Sequence, residues 1–343
     1  MFLHSLASAV PRHSFTQREC WEAFQDDPRT LALKESSRGL LQKILLGNSG
    51  IERRHFCLSS PRDVFSRDAG ALNHEFERNA PVLSCQALST ALGKAGQRPA
   101  DLDALFIATC TGYLCPGLSS HVAEKSGLRR DAFLQDLAGL GCGAALPTLR
   151  SASHFLAAHP AATVAVIAVE VCSAAFFMDD DPGVLISLCL FGDGASASIW
   201  SAQAPSHGPA YRALDFRTAH YPEERELIRF VNDGGKLRNK LHRSVPGLAA
   251  KAVGALHRSS PEDPGRILAH PGGRDVIEAI ERELACPPLT ESREVLRDFG
   301  NLSSPSVMLA LEKHLEGEQP ADRIWLTAFG AGFSCHSARL VRH

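Results

Sequence analysis

The stretch from Leu134 to Glu170 constrains the fold of this chain more than any other. An apolar-leaning segment breaks at Gly139-Leu140-Gly141-Cys142-Gly143 and resumes as Ala144 to Ala158, where Leu146, Leu149, Ala152 and Leu156 recur at near-helical spacing. Pro147 falls in the first turn, where a missing N–H costs nothing. The run Thr163 to Glu170 (TVAVIAVE) then reads as a buried strand, so residues 134–170 predict strand, tight glycine turn, helix, strand. Such a βαβ unit crosses over right-handed. Leu105 to Thr109 and Ala195 to Trp200 read as further buried strands. After the small-residue and proline stretch Ser201 to Pro209 the pattern returns more loosely: strand RILA at 266–269, helix Asp275 to Leu284, helix Ser303 to Leu315 with Ser303 and Ser304 as candidate N-caps, and closing strands Arg323 to Ala328 and Ser337 to Val341. Strands alternating with helices in both parts predict an α/β fold with buried sheets. A length of 343 residues fits two halves, taken as 1–205 and 206–343, although no repeat is visible residue by residue.

Composition excludes several function classes. Lys and Arg number 36 against 38 Asp and Glu, so no basic field points to nucleic acid. The longest mostly apolar stretch, Ala161 to Val169, falls far short of the ~20 residues needed to span a bilayer. The opening MFLHSLASAV lacks the basic start and unbroken apolar core of a signal peptide, and a cytoplasmic protein is expected. The ten cysteines form no CxxC and no zinc-finger spacing, so no metal site is expected and most are read as small buried hydrophobes.

Three places can carry chemistry. Gly139 to Gly143 has two readings. A dinucleotide loop wants G-x-G-x-x-G and an acid about 20 positions on, but here the third glycine is misplaced and Glu170 comes late. A nucleophile turn instead lifts Cys142 to the rim of the sheet, where a helix N-terminus favours thiolate. His270, in AHPGG, follows an apolar strand and precedes a rigid turn, and so projects from a strand's carboxyl end. Asn301, in DFGNLSSPSV, is either a plain turn residue or an amide donor aimed at a carbonyl oxygen.

Together these segments resemble the thiolase-fold condensing enzymes, and within them the type III polyketide synthases, the chalcone-synthase-like family. The matching stretches are GLGCGAALPTLRSA, LFGDGASASI, LAHPGGRDVIEAIE and REVLRDFGNLSSPSVMLALE. The resemblance implies a five-layer αβαβα sandwich of two pseudo-repeated halves that dimerises across the first half. It implies an acyltransferase that loads an acyl-CoA starter on Cys142, extends it with malonyl-CoA by decarboxylative Claisen condensation, and cyclises the product. A His270 imidazolium would stabilise the thiolate, and His270 and Asn301 would donate to the enolate left by departing carbon dioxide. Phe191 would shield that enolate from water. Cys110, Thr111 and Cys115 match a pocket-lining loop that reaches the partner subunit. No cofactor is implied beyond the coenzyme A thioester substrates. Lys34, Arg38 and Lys43 are the candidates for holding coenzyme A phosphates.

The chain also departs from the family. A closing Gly-Phe-Gly-Pro-Gly loop appears as Ala328-Phe329-Gly330-Ala331-Gly332, which places Gly330 and Gly332 at the pocket with altered backbone. A second gatekeeping phenylalanine has no clear counterpart in KLRNKLHRSVPGL, which is basic rather than aromatic. A differently shaped cavity and a non-plant substrate follow. Competing readings are a single-round ketoacyl synthase III served by an acyl carrier protein, a papain-like hydrolase with the same Cys…His…Asn order, and an inactive thiolase-fold scaffold.

Overall fold

The computed structural model describes residues 1–65, 67–206, 208–260 and 263–343; His207, inside the stretch read as a boundary, lies outside the described residues. In chain order the strands are β1 (Phe2–Ala9), β2 (His13–Thr16), β3 (Arg53–Phe56), β4 (Ala104–Thr109), β5 (Phe133–Ala138), β6 (Thr163–Glu170), β7 (Gly194–Ser201), β8 (Tyr211–His220), β9 (Ile228–Asp233), β10 (Lys236–Leu241), β11 (Arg266–Ala269), β12 (Arg323–Gly330) and β13 (Ser334–Arg342). Nine of them form one sheet in the order β11-β12-β13-β8-β1-β7-β6-β4-β5.

The alternation in β6 shows how these residues build layers. Val164, Val166 and Ala168 face one core, and Ala165, Ile167 and Val169 face another. β12 behaves likewise: Ile324, Leu326 and Ala328 join the first core, while Trp325 and Phe329 join a third. Successive side chains on a strand point to opposite faces, so a sheet covered on both sides needs apolar residues at every position. The shared core holds the helices Ala145–Ala158 and Ser306–Leu315 between two wings of the sheet. The outer face of one wing packs on the helices Ala69–Ala95 and Leu118–Ser126, and that of the other on Val245–Ser259 and Arg274–Leu284. The result is five alternating layers, αβαβα.

The pairing itself repeats. In one wing β4 runs parallel to β6, β6 antiparallel to β7, and β7 antiparallel to β1. In the other β11 runs parallel to β12, β12 antiparallel to β13, and β13 antiparallel to β8. The wings join where Phe2 and Leu3 pair with Arg212 and Tyr211. The opening MFLHSLASAV is therefore the seam strand β1, paired with β7 from Phe2↔Ser201 to Ala9↔Ala195. Among the described residues no helix is long and apolar enough to cross a membrane.

One helix starts later than the sequence suggested. The segment read as Ser303 to Leu315 is helical only from Ser306, with Pro305 as its N-cap residue. Ser303 adopts a left-handed backbone, φ 60°, because its N–H donates to Asn301 Oδ1 at 2.8 Å and its side chain turns toward Cys142.

Candidate active site

The nucleophile candidate sits where β5 ends. Gly139 and Gly141 hold positive φ (82° and 57°), a bend open to glycine at little cost, and a short 3₁₀ turn over 141–143 leads into the helix Ala145–Ala158. The turn is pressed against the loop after β12. A Cβ on Gly330 would come within 2.8 Å of Cys142 N, and one on Gly141 within 2.8 Å of Ala331 N. Gly330 therefore allows the close approach that fixes the turn. Neither it nor Gly332 lines the cavity described below.

His270 follows β11 directly, its N–H bonded to Thr327 O at 2.8 Å, and its ring packs edge-on against Phe329 at 5.2 Å between centroids. It is buried, and its Nδ1 has no hydrogen-bond partner among the described residues. Asn301 stands after the helix Thr290–Phe299, fastened through its backbone to Leu190 O (2.9 Å) and Gly192 N (3.1 Å) and paired with Phe191 in an isolated parallel bridge. Its Nδ2 donates to Gly272 O at 3.1 Å, two residues past His270. Ser303, whose N–H binds the Asn301 side chain, donates its hydroxyl to Cys142 Sγ at 3.3 Å. The three candidates from distant segments are thus linked by contacts running from Cys142 through Ser303 and Asn301 to the His270 turn.

Burial dominates the electrostatics and works against charging either group. It pushes the Cys142 thiol up to about 12, countered by the Ser303 hydroxyl and reinforced by the nearby Glu170 charge. Burial also lowers His270 to about 3. Desolvation thus opposes both the thiolate and the imidazolium, since it penalises each charged form. Among the described residues no hydrogen bond joins the sulfur to the imidazole; the sulfur's side-chain partner is Ser303.

Glu170, fully buried at the end of β6, gathers the surrounding loop. It accepts from the N–H groups of Cys110 and Thr111 (3.0 and 3.1 Å), from Thr111 Oγ1 (2.8 Å) and from Ser304 Oγ (2.5 Å). Cys110 Sγ lies 3.3 Å from Glu170 Oε1 and 3.4 Å from Ser303 Oγ, and burial and the Glu170 charge hold its thiol well above the usual range.

A narrow cavity opens beside these groups, lined among others by Thr111, Phe191 and Ser303. Phe191 ends the helix Pro182–Leu190, and its backbone is pinned by Arg54. That arginine is fully buried: Nη1 donates to Leu188 O (2.6 Å) and Phe191 O (3.0 Å), and Nε to Gln17 Oε1 (2.9 Å). The far wall is the β9–β10 hairpin, where Phe230 and Asn239 pair directly and Leu237 shares their face. The basic character of KLRNKLHRSVPGL is thereby explained. Lys236, Arg238 and Lys240 occupy the alternate positions, with Arg238 on Asp179 (2.5 Å) and Lys240 on Asp181 (2.8 Å).

Of the sequence candidates, Thr111 and Phe191 line the cavity, whereas Cys142, His270, Asn301 and Cys110 are not among its lining residues. Cys115 is exposed. Lys34 precedes the helix Glu35–Leu46, its N–H bonded to Asp180 Oδ1 at 2.9 Å; Lys43 is exposed in the last turn, and Arg38 is half-buried with its Nε unpartnered among the described residues. Sequence reasoning missed Ser303, Glu170, Arg54 and Asn239 as parts of the site. Glu170 carried a signal, a charge closing an otherwise apolar strand. Ser303 carried one in its position beside Asn301.

Residues 12–220 match the family model of FAE1/type III polyketide synthase-like proteins, and residues 256–342 that of the C-terminal part of 3-oxoacyl-[acyl-carrier-protein] synthase III. The chain is 30% identical to a 1,3,6,8-tetrahydroxynaphthalene synthase of Streptomyces peucetius subsp. caesius, over 98% of this chain and 91% of that protein. It is 32% identical to a 3,5-dihydroxyphenylacetyl-CoA synthase of Streptomyces toyocaensis, over 97% and 88%. The fold superposes on the crystal structure of PKS-I from the brown alga Ectocarpus siliculosus with a TM-score of 0.89 at 23% identity, covering 99% of this chain and 98% of that one. With the five-layer fold matched over nearly its whole length and relatives at 30% identity or above, the chain belongs to the type III polyketide synthases, acyltransferases that condense malonyl-CoA with acyl-CoA starters.

Proposed function

We propose that Cys142 carries the growing acyl chain and that His270 and Asn301 stabilise the enolate that extends it. When a starter thioester enters, the sulfur attacks its carbonyl while the neutral imidazole takes the thiol proton. Coenzyme A then leaves as its thiol, receiving that proton, and the acyl group stays on Cys142. A malonyl thioester next loses carbon dioxide. The charge left on its thioester oxygen is met by the N–H of the neutral His270 imidazole and by the Asn301 amide, donors that act strongly where water is excluded. The resulting carbanion attacks the Cys142 thioester, forming a carbon–carbon bond and releasing the sulfur. Phe191 keeps water from the enolate, and Thr111 lines the room beside it.

The observation that carries this reading is Ser303 donating to the Cys142 sulfur from the same turn whose Asn301 amide reaches the His270 loop. Lys34, Arg38 and Lys43 are proposed to receive the phosphates of coenzyme A, and the chain to divide near 205 into a nucleophile half and a donor half. A homodimer is proposed through β5, which ends the sheet order and bears exposed Phe133 and Leu134, at 45% and 37% exposure.

The test is incubation with malonyl-CoA and a panel of acyl-CoA starters, with the Cys142→Ala variant in parallel. Acylated Cys142 by intact mass, carbon dioxide release and products extended by several two-carbon units are expected. The variant should show no acylation. Absence of carbon–carbon bond formation with every starter overturns the reading. A second reading, one extension per starter delivered on an acyl carrier protein, is favoured by the match of residues 256–342 to 3-oxoacyl synthase III. A product mass of a single added unit would select it.

A further inference from the structure

The cavity wall facing Phe191 holds a polar group that the condensing steps above do not use. Asn239 is 6% exposed, and its Nδ2 donates to Ser187 Oγ at 2.7 Å. The Ser187 hydroxyl donates in turn to Gly183 O at 2.6 Å, within its own helix. A carbonyl only accepts, so the single hydroxyl proton is committed to Gly183 and Ser187 must accept from Asn239. This fixes the orientation of the amide: nitrogen toward Ser187, oxygen away. Among the described residues that oxygen has no hydrogen-bond partner, and one N–H of the amide is also free.

The amide is held firmly. A Cβ on Gly183 would come within 2.5 Å of Asn239 O, so the helix Pro182–Leu190 is seated directly on the hairpin backbone. The ion pairs of Arg238 and Lys240 with Asp179 and Asp181 clamp the flanking positions. Around Asn239 the cavity is mostly apolar: Phe176, Phe177, Val184, Phe191, Phe230 and Leu237.

We propose that Asn239 determines chain specificity, its fixed amide hydrogen-bonding the keto and enol oxygens of a polyketide chain growing from Cys142. The inference rests on the condensing reading above and adds the class of chain the cavity accepts. A chain built from short starters carries an oxygen on every second carbon. Its ketones accept from the free N–H, and its enols donate to the amide oxygen. A long saturated alkyl chain would cover the same oxygen and leave it dry and unpaired, which a buried acceptor tolerates poorly. Sites built to hydrogen-bond a substrate oxygen discriminate against analogues lacking it far more strongly than apolar pockets discriminate by size.

The experiment compares acetyl-CoA and dodecanoyl-CoA as starters, each with malonyl-CoA, in the wild type, Asn239→Leu and Asn239→Ser, reading kcat/KM by product mass. The ratio of the two values cancels any general loss from a loosened hairpin. The wild-type ratio should favour acetyl-CoA. It should fall by about tenfold or more in Asn239→Leu and by less in Asn239→Ser, which keeps a polar group of shorter reach. A ratio unchanged in both variants, even with all rates reduced, overturns the inference and leaves Asn239 a strut between helix and hairpin. A wild type that joins no starter to malonyl carbon sinks the condensing reading and this inference together.

Discussion

The two wings of the sheet share one pairing frame yet hold their reactive groups in different ways. In the first wing β5 lies outside β4, and the chain leaving it turns at once into Cys142 and the helix behind it. In the second wing β11 is the outermost strand, and among the described residues none stands at the position β5 would occupy. Asn301 instead hangs between two helices and borrows its backbone partners, Leu190 and Gly192, from the other half. The nucleophile is thus placed by its own wing together with the glycine contact at 330, whereas the amide donor is placed by a junction between halves. A repeated scaffold need not repeat its means of positioning.

The largest test of that contrast removes the donors. His270→Ala or Asn301→Ala should slow malonyl-CoA decarboxylation by ~10²–10³-fold, the usual loss for one oxyanion donor. Acylation of Cys142 in Asn301→Ala, followed by intact mass, should suffer less, and equal losses in both steps would erase the distinction. A smaller effect comes from the junction itself. Arg54→Met strips buried partners from Leu188 O, Phe191 O and Gln17 and should cost about 2–4 kcal/mol in urea unfolding. In the folded fraction decarboxylation should fall more than Cys142 loading. The smallest effect is a slope. Because burial raises the Cys142 thiol to about 12, its thiolate fraction keeps growing with pH below that value. Alkylation by iodoacetamide should therefore rise about tenfold per pH unit from 7 to 9. A plateau near neutrality would mean a thiolate stabilised at rest.

Much of the frame was legible because buried strands leave a strong pattern. The strands TVAVIAVE and RILA were read with the boundaries found, and the helix 144–158 within one residue. The catalytic candidates were legible through their glycine and serine contexts. What escaped depended on distant partners. Nothing local to MFLHSLASAV says that it pairs with residues 195–201. The N-cap expected at Ser303 failed because a side chain two positions earlier and a sulfur from another segment competed for its polar groups. The resting charge of Cys142 and His270 depends on desolvation, and burial is a property of the packed molecule.

The seam strand carries a consequence for how the protein comes together. β1 is hydrogen-bonded to Ala195 through Ser201 along most of its length and to Tyr211 and Arg212 at one end. Contacts between segments so far apart along the chain close slowly, since the intervening loop must surrender its freedom first. Until they close, the strand has no neighbour on either edge, and its apolar residues offer a ready template for pairing with another chain. Yield on refolding should therefore be most sensitive to protein concentration in the interval before this one strand is housed, making assembly of the seam the point at which chaperone assistance matters most.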